Sequence, residues 1–600
     1  MSSPQKTTEA KLAAFHDEDT IDKSYDLQML SRLWPFISPH VRYVVFSLLG
    51  LFSVAGINLV KPLLLGAIVA HASQKAPDLL LRDGAFLAGL TVLSQVISFG
   101  QIYSMQLAGA LAMADLRRHV FAFLQTLSLR FFDRTPVGRL TTRCVNDVDA
   151  VSELFAFGVF NAVGDMVLLL GIVVAMLLLD WQLSLIAFAA LPVVSLLVAV
   201  VRRGGKRAYR DIRTKTARLN AFLSEQVGGI AVVQAFGRQE QMSREFSTIN
   251  ASFRDANKRA IFFEAVLDAA IEMVSTVCIA SVLFWVGIAN LSSHPLSFAT
   301  VVTFTQYLRQ FFEPVSMLSQ RYTVLQSALS GAERIFQLLE EKEVEPSDAL
   351  EAAVASPADT NEGLGFSGVD FGYKPGVPVL SGVSFAARRG EKLALVGATG
   401  AGKSTVTQLL LRLYEVSAGE VRVFGKNVRA YAPHTLRALF SVVPQDVFLF
   451  SGTVLSNIAL GDAQPDPEKA LAALRQIGAE GLIAERGGLD APVDERGSNF
   501  STGERQLIAF ARAVYRDAPI LILDEATASV DSDTESRLQT ALQAVQKGRT
   551  SLVIAHRLST IQTADRIVVF HKGRVVEEGG HAELLTQNGL YARLHQLQFR

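Results

Sequence analysis

Long uncharged stretches alternate with charged segments over the first 330 residues of this 600-residue chain. A helix needs about 20 mostly apolar residues to cross a bilayer. Five stretches are long enough, and the last is too long for a single helix and is broken near its middle by 290–295. The pattern therefore predicts six membrane-spanning helices within 44–70, 84–114, 155–179, 181–201 and 273–308.

The basic residues between these stretches predict an orientation. Segment 111–152 holds six Lys and Arg and segment 201–260 holds thirteen, whereas the three alternate loops together hold only Lys75 and Arg82. Basic loops stay on the cytoplasmic side. We expect both termini in the cytoplasm of a multi-pass protein of the cell (cytoplasmic) membrane. The first 25 residues are polar and lack the apolar core of a signal peptide.

Composition narrows the function classes. Lys and Arg balance Asp and Glu at 57 each, so no nucleic-acid partner is expected. Half of the residues are hydrophobic and the mean hydropathy is +0.29. Only Cys144 and Cys278 are present, which argues against a disulfide framework, a zinc site or an N-terminal cysteine-peptidase domain.

A glycine-rich segment follows a short aliphatic run, Leu393 to Val396, and leads into a helical pattern. This order is typical of a phosphate-binding loop, in which backbone N–H groups and a helix N-terminus face the phosphates. Lys403 is expected to neutralise the β- and γ-phosphates, and Ser404 to ligate Mg²⁺. The expected ATP-binding residues are Gly397, Ala398, Thr399, Gly400, Ala401, Gly402, Lys403, Ser404 and Thr405.

A second aliphatic run, 520–523, ends in Asp524-Glu525. An acid at the carboxyl end of a central strand is well placed for the Mg²⁺ beside the phosphate loop, and Glu525 can orient and deprotonate the attacking water. The two motifs together predict an ATP- and Mg²⁺-dependent hydrolase. The fold class expected is a six-helix membrane domain joined to a cytoplasmic α/β P-loop ATPase domain with a helical subdomain.

The segment Phe500-Ser501-Thr502-Gly503-Glu504-Arg505-Gln506 lies eighteen residues before Asp524, and here the chain resembles the ATP-binding cassette (ABC) family. The resemblance implies that Ser501 and Gly503, in this signature loop, complete the ATP site of an opposite subunit. It also implies that Tyr373 stacks on adenine and that Gln445 contacts Mg²⁺ and relays the state of the site. Asp531 is then expected to bridge the two sites, and His556 to clamp the γ-phosphate beside the catalytic Glu525.

The membrane half resembles the exporters of this family. Segments 131–149 and 224–238 are similar to the two cytoplasmic loops that carry coupling helices. The resemblance implies ATP-driven export of a small amphipathic drug, lipid or peptide by alternating access in a dimer. An ATP-gated channel or regulatory ATPase of the family stays open as the alternative. An importer and a soluble cassette ATPase are disfavoured, because membrane and ATPase parts share one chain.

We expect four regions: a tail with an interfacial helix (1–40), the membrane domain (41–330), a linker (331–363) and the ATPase domain (364–600). The signature loop departs from the usual Leu-Ser-Gly-Gly-Gln at Thr502 and Glu504. A β-branched side chain and a negative charge near the phosphate should both weaken the site that this loop completes. The departure favours a heterodimer with a second half-transporter, with a homodimer as the alternative.

Three acids in the inner half of the fifth predicted helix, Glu264, Asp268 and Glu272, recur every four residues and share one helix face. Ionisable groups are costly at this depth and often mark a transport path. They either form an acidic cavity that favours cationic amphiphiles or pair with Arg309 and basic helix extensions to hold the bundle together.

Overall fold

The computed structural model describes residues 28–598 except 158, 291–296, 346–360, 525–531 and 556–557. The chain divides into two units: residues 1–125 with 137–341, and residues 126–136 with 342–600. The first unit is entirely helical in the described residues, and the second is an α/β unit.

The helical unit contains six long helical stretches and several short helices. Its α-helices are α1 (Gln28–Arg32), α2 (Trp34–Ile37), α3 (Val41–Ser73), α4 (Pro77–Leu124), α6 (Val137–Thr142), α7 (Val148–Phe157), α8 (Val159–Leu179), α9 (Trp181–Phe188), α10 (Ala190–Gly228), α11 (Ile230–Ala235), α12 (Gln239–Asn290) and α13 (Phe298–Leu339), and α5 (Leu129–Arg134) belongs to the other unit.

In the described residues the predicted spans are helical; the third is shared by α7 and α8 and the fourth by α9 and α10. By length and composition, four helices in the described part of the chain are able to cross a membrane: Trp34–Ser73, Pro77–Leu124, Asn161–Leu179 and Gln239–Ile288. The count of six spans stays a prediction. The predicted break between the last two spans falls largely on 291–296, outside the described residues, with α12 ending before it and α13 beginning after it.

Polar caps and small residues shape the helical unit. The Asp180 carboxylate accepts from the backbone N–H groups of Gln182 and Leu183, both at 2.9 Å, and so starts α9. A side chain at Gly66 would place its Cβ 2.0 Å from Thr303 Oγ1, so this glycine lets α3 and α13 approach closely. In lipid the hydrophobic driving force between helices is weak. Close packing at small residues therefore contributes to their association instead.

The α/β unit contains two main sheets. One has four antiparallel strands in the order β2-β1-β4-β5, and the other has six in the order β12-β11-β3-β10-β9-β6, in which only β12 is antiparallel. The strands are β1 (Glu362–Phe371), β2 (Leu380–Arg388), β3 (Lys392–Gly397), β4 (Ala418–Val423), β5 (Lys426–Asn427), β6 (Phe440–Val443), β7 (Gly452–Thr453), β8 (Pro492–Val493), β9 (Ile520–Asp524), β10 (Thr550–Ile554), β11 (Arg566–His571) and β12 (Arg574–Gly579).

Helices flank the six-stranded sheet, and two hydrophobic cores fill the space on its two sides. The helices are α14 (Lys403–Leu410), α15 (Pro433–Ala438), α16 (Val454–Ile458), α17 (Pro467–Gln476), α18 (Glu480–Glu485), α19 (Thr502–Arg516), α20 (Ser532–Gln546), α21 (Leu558–Gln562), α22 (His581–Thr586) and α23 (Leu590–Gln598). The α/β class predicted from the sequence is confirmed, with α16 to α19 as its helical part.

The division between the units differs from the predicted boundary at 330. Helix α13 continues to Leu339, and Ala332, Ile335 and Phe336 are buried, so the first residues of the predicted linker are helical. Segment 126–136 also belongs to the α/β unit, although the predicted membrane domain, 41–330, includes it. Backbone pairing explains this, because Ser128 N donates to Glu343 O at 2.8 Å and Glu345 N donates to Thr126 O at 2.7 Å.

A buried ion pair holds α13 to the five-residue π-helical segment Arg143–Asp147. Arg334 donates to both carboxylate oxygens of Asp147, at 2.6 and 3.1 Å, and the Asp147 side chain is 5% exposed. A Cβ at Gly331 would lie 2.9 Å from Asp147 O, so this glycine permits the close approach. Removing one partner of such a pair leaves a buried charge uncompensated.

We therefore expect Arg334→Met to lower the free energy of unfolding by about 3 kcal/mol. Changing Asp147→Leu as well should recover most of this loss, because no charge is then left buried. Thermal unfolding of the purified chain in detergent measures both effects, with Arg254→Met in an exposed ion pair as the control. Equal destabilisation by the single and double variants would contradict the argument.

Candidate nucleotide-binding site

The phosphate loop joins β3 to α14 and turns through left-handed glycines. Gly400 and Gly402 have φ values of +80° and +100°, which side chains disfavour. A Cβ at Gly402 would also lie 2.5 Å from Leu380 Cδ2. The Lys403 ammonium donates to Gly397 O at 2.7 Å and to Ala398 O at 3.1 Å, so its side chain folds back across the loop. The predicted loop is thus a closed cradle at the N-terminus of α14.

The Lys403 side chain is buried, and the residue is 6% exposed. Burial lowers the pKa of its ammonium group, and the nearby Asp524 carboxylate opposes that shift. Asp524 lies at the carboxyl end of β9, separated from β3 by β10, and all three strands are parallel. Parallel strands bring their carboxyl ends to one edge of the sheet, which places the loop and Asp524 together.

The side chains predicted to hold Mg²⁺ supply suitable atoms. Ser404 offers an exposed hydroxyl in the first turn of α14, Asp524 offers a partly exposed carboxylate, and Gln445 offers an exposed amide oxygen just after β6. Oxygen ligands suit Mg²⁺, which often uses one or two carboxylates together with nucleotide phosphates. Within the described residues no group of three His, Cys, Asp or Glu could hold a metal ion.

Tyr373, expected to contact adenine, follows β1 and lies beside α14. Its hydroxyl donates to Gln408 Oε1 and lies 3.1 Å from Thr405 Oγ1. Burial raises the pKa of the phenol; the hydrogen bond from Thr405 opposes the shift, and the charge of Asp133 adds to it. Tyr373 remains 37% exposed, so the residue is partly accessible beside the phosphate loop.

A second tyrosine, missed by the motif search, connects Tyr373 to α5. The ring of Tyr414 meets that of Tyr373 edge to face, with centroids 5.2 Å apart, and its hydroxyl donates to Asp133 Oδ2. Burial and this carboxylate strongly raise the pKa of Tyr414. The sequence held no signal for this contact, because Asp133 and Tyr414 are 281 residues apart.

The loop that follows Gln445 is fastened to the helix of the signature loop. The buried Asn457 side chain accepts from Phe450 N at 2.8 Å and donates to Phe450 O at 2.8 Å and to Thr453 O at 3.1 Å. Arg512 of α19 donates through Nε to Asn457 O at 2.8 Å. Asn457 and Arg512 are therefore functional candidates that sequence reasoning missed, since neither belongs to a motif.

The signature loop forms the N-terminus of α19. Ser501 caps the helix: its Oγ accepts from Glu504 N at 3.2 Å, and Glu504 Oε2 accepts from Ser501 N at 2.7 Å. Gly503 is buried in the first turn. The capping fixes Ser501 at the exposed end of the helix, where the sequence predicts a phosphate contact.

Glu504, expected to place a negative charge near the phosphate, has a basic partner within its own unit. Its carboxylate is 9% exposed and accepts from Arg486 Nε and Nη2 at 2.9 and 3.1 Å. Thr502, in contrast, is exposed, and its Oγ1 accepts from Arg505 at 3.2 Å. The carboxylate is thus neutralised by Arg486, while the β-branched side chain stays at the loop surface.

Three predicted site residues, Glu525, Asp531 and His556, lie outside the described residues. The structure does describe the strands that precede them: β9 ends at Asp524, immediately before Glu525, and β10 ends at Ile554, two residues before His556. Their roles stay predictions.

The fold and site together define a P-loop ATPase built on one chain with a helical membrane unit. Two family models match, one described as the ABC transporter transmembrane region over residues 44–315 and one as ABC transporter over residues 380–528. The chain belongs to the ABC transporter family. Its half-transporter architecture is that of an exporter, an ATPase coupled to export across a membrane in which the protein is multi-pass.

Similar proteins cover nearly the full chain. The ATP-dependent lipid A-core flippase of Thiobacillus denitrificans is 35% identical over 95% of this chain and 98% of its own length. The probable multidrug resistance ABC transporter ATP-binding/permease protein YheH of Bacillus subtilis is 37% identical over 85% of this chain and 76% of its own. A bacterial Atm1-family ABC exporter with ATP bound matches with a TM-score of 0.76 at 27% identity, covering 93% and 98% of the two chains.

The buried hydrogen bonds of Asn457 give a testable consequence. Asn457→Ala should lower the free energy of unfolding by about 2 kcal/mol, because three hydrogen bonds of a buried side chain are lost. Faster hydrogen exchange at Phe450 should accompany the loss. The exposed Gln464→Ala is the control, and unchanged exchange at Phe450 would show that this side chain does not hold the loop.

Proposed function

We propose that this chain is one half of a dimeric exporter that uses ATP hydrolysis to move a small amphipathic molecule, a drug, lipid or peptide, by alternating access. The observation that carries the proposal is the inclusion of α5 in the ATPase unit. The segment bearing α5 continues directly into α4 on one side and α6 on the other, both in the helical unit. A change at the nucleotide site therefore has a direct mechanical route to the membrane helices.

Tyr373 and Tyr414 supply this route. Adenine stacked on Tyr373 fixes that ring; the ring of Tyr414 meets it edge to face, and the Tyr414 hydroxyl donates to Asp133 of α5. Lys403 binds the β- and γ-phosphates once they replace the loop carbonyls as its partners. Export requires the nucleotide to bind two conformations with different affinity. In this proposal, the contacts from Tyr373 through Tyr414 to Asp133 are those that differ between the two conformations.

We assign hydrolysis to residues around the phosphate loop. Glu525 orients and deprotonates the attacking water, and His556 contacts the γ-phosphate. Ser404, Gln445 and Asp524 hold Mg²⁺, which supplies charge neutralisation at the phosphates when bound. Asp531 bridges the two ATP sites, and Ser501 and Gly503 contact the nucleotide of the second chain.

This chain also exposes an apolar surface that we assign to contact with a second chain. Helix α11, in the second cytoplasmic loop, carries exposed apolar side chains: Val232 is 61% and Phe236, its C-cap, is 75% exposed. We propose that the second chain is a different half-transporter. The exposed Thr502, where a glycine is usual, supports this by weakening the site that the loop completes. The basic loops support placement in the cytoplasmic membrane with cytoplasmic termini.

The names of similar proteins support an amphipathic cargo, since they include a multidrug transporter and a lipid flippase. The acidic stripe of α12 adds a preference for cationic cargo. Glu264, Asp268 and Glu272 are all exposed, and within the described residues none of them forms an ion pair. Carboxylates left without a basic partner are available to a cation in the transport path.

ATP-dependent efflux in inverted vesicles tests the main proposal. Lys403→Ala or Glu525→Gln should reduce ATPase activity and efflux at least about a hundredfold, since each removes a phosphate-binding or proton-transfer group. Lys426→Ala, an exposed lysine of the same unit, is the control. ATP-dependent conductance without concentrative efflux would instead identify a channel. Robust ATPase activity of the chain alone, abolished by Glu525→Gln, would overturn the heterodimer.

The acidic stripe has its own test. Replacing Glu264, Asp268 and Glu272 together by Gln, Asn and Gln should cut efflux of cationic dyes about tenfold while efflux of neutral analogues changes little, because only the cation loses a Coulombic partner. Glu240→Gln, in the exposed first turn of α12, is the matched control. Equal loss for cationic and neutral dyes would assign the stripe to structure instead.

A further inference from the structure

The acidic residue of the signature loop has a basic partner in the same unit. Arg486 follows α18, and its Nε and Nη2 donate to the two carboxylate oxygens of Glu504 at 2.9 and 3.1 Å. The same guanidinium lies over the ring of Phe500, 5.8 Å from its centroid. Arg486 therefore contacts Phe500, which precedes Ser501, and Glu504, whose carboxylate accepts from the Ser501 backbone N–H.

The carboxylate of Glu504 is fully engaged. Oε1 accepts from Arg486, and Oε2 accepts from Arg486 and from the Ser501 backbone N–H. Burial works in the opposite direction, yet these hydrogen bonds hold the pKa of Glu504 below its usual value. The carboxylate is therefore charged at neutral pH, with an opposite charge beside it, and it points back along the loop.

The capping also fixes the hydroxyl that the loop presents. Ser501 Oγ accepts from Glu504 N at 3.2 Å. One oxygen lone pair is thus used within the loop, while the hydroxyl hydrogen remains a donor for an anion. A glutamine in place of Glu504 could accept the same Ser501 N–H through its amide oxygen, but it would give Arg486 no counter-charge.

We propose that Arg486 is a positioning residue that neutralises Glu504, so that a signature loop bearing a glutamate can contact the triphosphate of a second chain. The inference rests on the proposed function, in which this loop faces a partner's nucleotide. An unpaired charge about 10 Å from one phosphate charge would change affinity roughly tenfold at an effective dielectric constant of about 20. Of the two unusual loop residues, only Thr502 then weakens the site.

The effect of replacing Arg486 should depend on whether Glu504 is present. Arg486→Gln exposes the charge of Glu504 and should raise the ATP concentration for half-maximal ATPase activity about tenfold. In the Glu504→Gln background the same Arg486→Gln change should have little effect, because no carboxylate remains to be neutralised. Added salt should shrink the single-variant defect, since screening replaces the counter-ion.

The experiment uses the full chain in lipid nanodiscs, with a partner half-transporter where activity requires one. With a non-identical partner, every variant is compared in a Glu525→Gln background, where the small residual hydrolysis is that of the partner's nucleotide, which this loop contacts. The matched control is Arg475→Gln, which removes an arginine from an exposed ion pair with Glu480 of the same helical part.

Three outcomes decide the matter. A tenfold effect that vanishes in the Glu504→Gln background supports the inference. An Arg486→Gln variant that behaves like the wild type, or an equal defect in both backgrounds, overturns it and leaves Arg486 only its packing on Phe500. A wild-type chain without ATPase activity, alone or with a partner, contradicts the proposed function, and the inference fails with it. The wild type is measured first, so that failure of the proposed function is distinguished from failure of the inference.

Discussion

Helix α5 is built into the ATPase unit, and the coupling that we propose between nucleotide and membrane helices depends on this attachment. Two backbone hydrogen bonds pair segment 126–128 with 343–345, and Phe131 is buried. The Tyr414 hydroxyl then ties Asp133 to the aromatic cluster that holds Tyr373. Backbone pairing fixes the helix in place, and the side-chain contact links it to the residues beside the phosphate loop.

Charge balance is the second constraint. A triphosphate brings several negative charges, so each acid near it needs a defined partner or a role with a cation. Asp524 lies near the Lys403 ammonium, and Glu504 is paired with Arg486. These arrangements leave the exposed end of α19 and the N-terminus of α14 as donor-rich surfaces, which is the electrostatic requirement for binding an anion.

The helical unit meets a different requirement, because lipid supplies little hydrophobic drive between helices. Gly66 lets α3 reach α13, and Gly331 lets α13 reach the segment that carries Asp147. The Arg334–Asp147 pair then holds α13 where the membrane unit ends. Helix α13 stays helical to Leu339, so the helical unit extends past the predicted end of the membrane domain at 330.

The sequence by itself determined the two halves, the α/β class and the phosphate loop, because apolar runs and a contiguous glycine-rich loop carry their chemistry locally. Lys403, Ser404 and Asp524 could be placed from such motifs alone. Only the tertiary structure decided the direction of Glu504, the partners Arg486 and Tyr414, the membership of α5 and the boundary near 341. Each of these depends on contacts between residues distant in the chain, such as Asp133 with Tyr414, which no local pattern encodes.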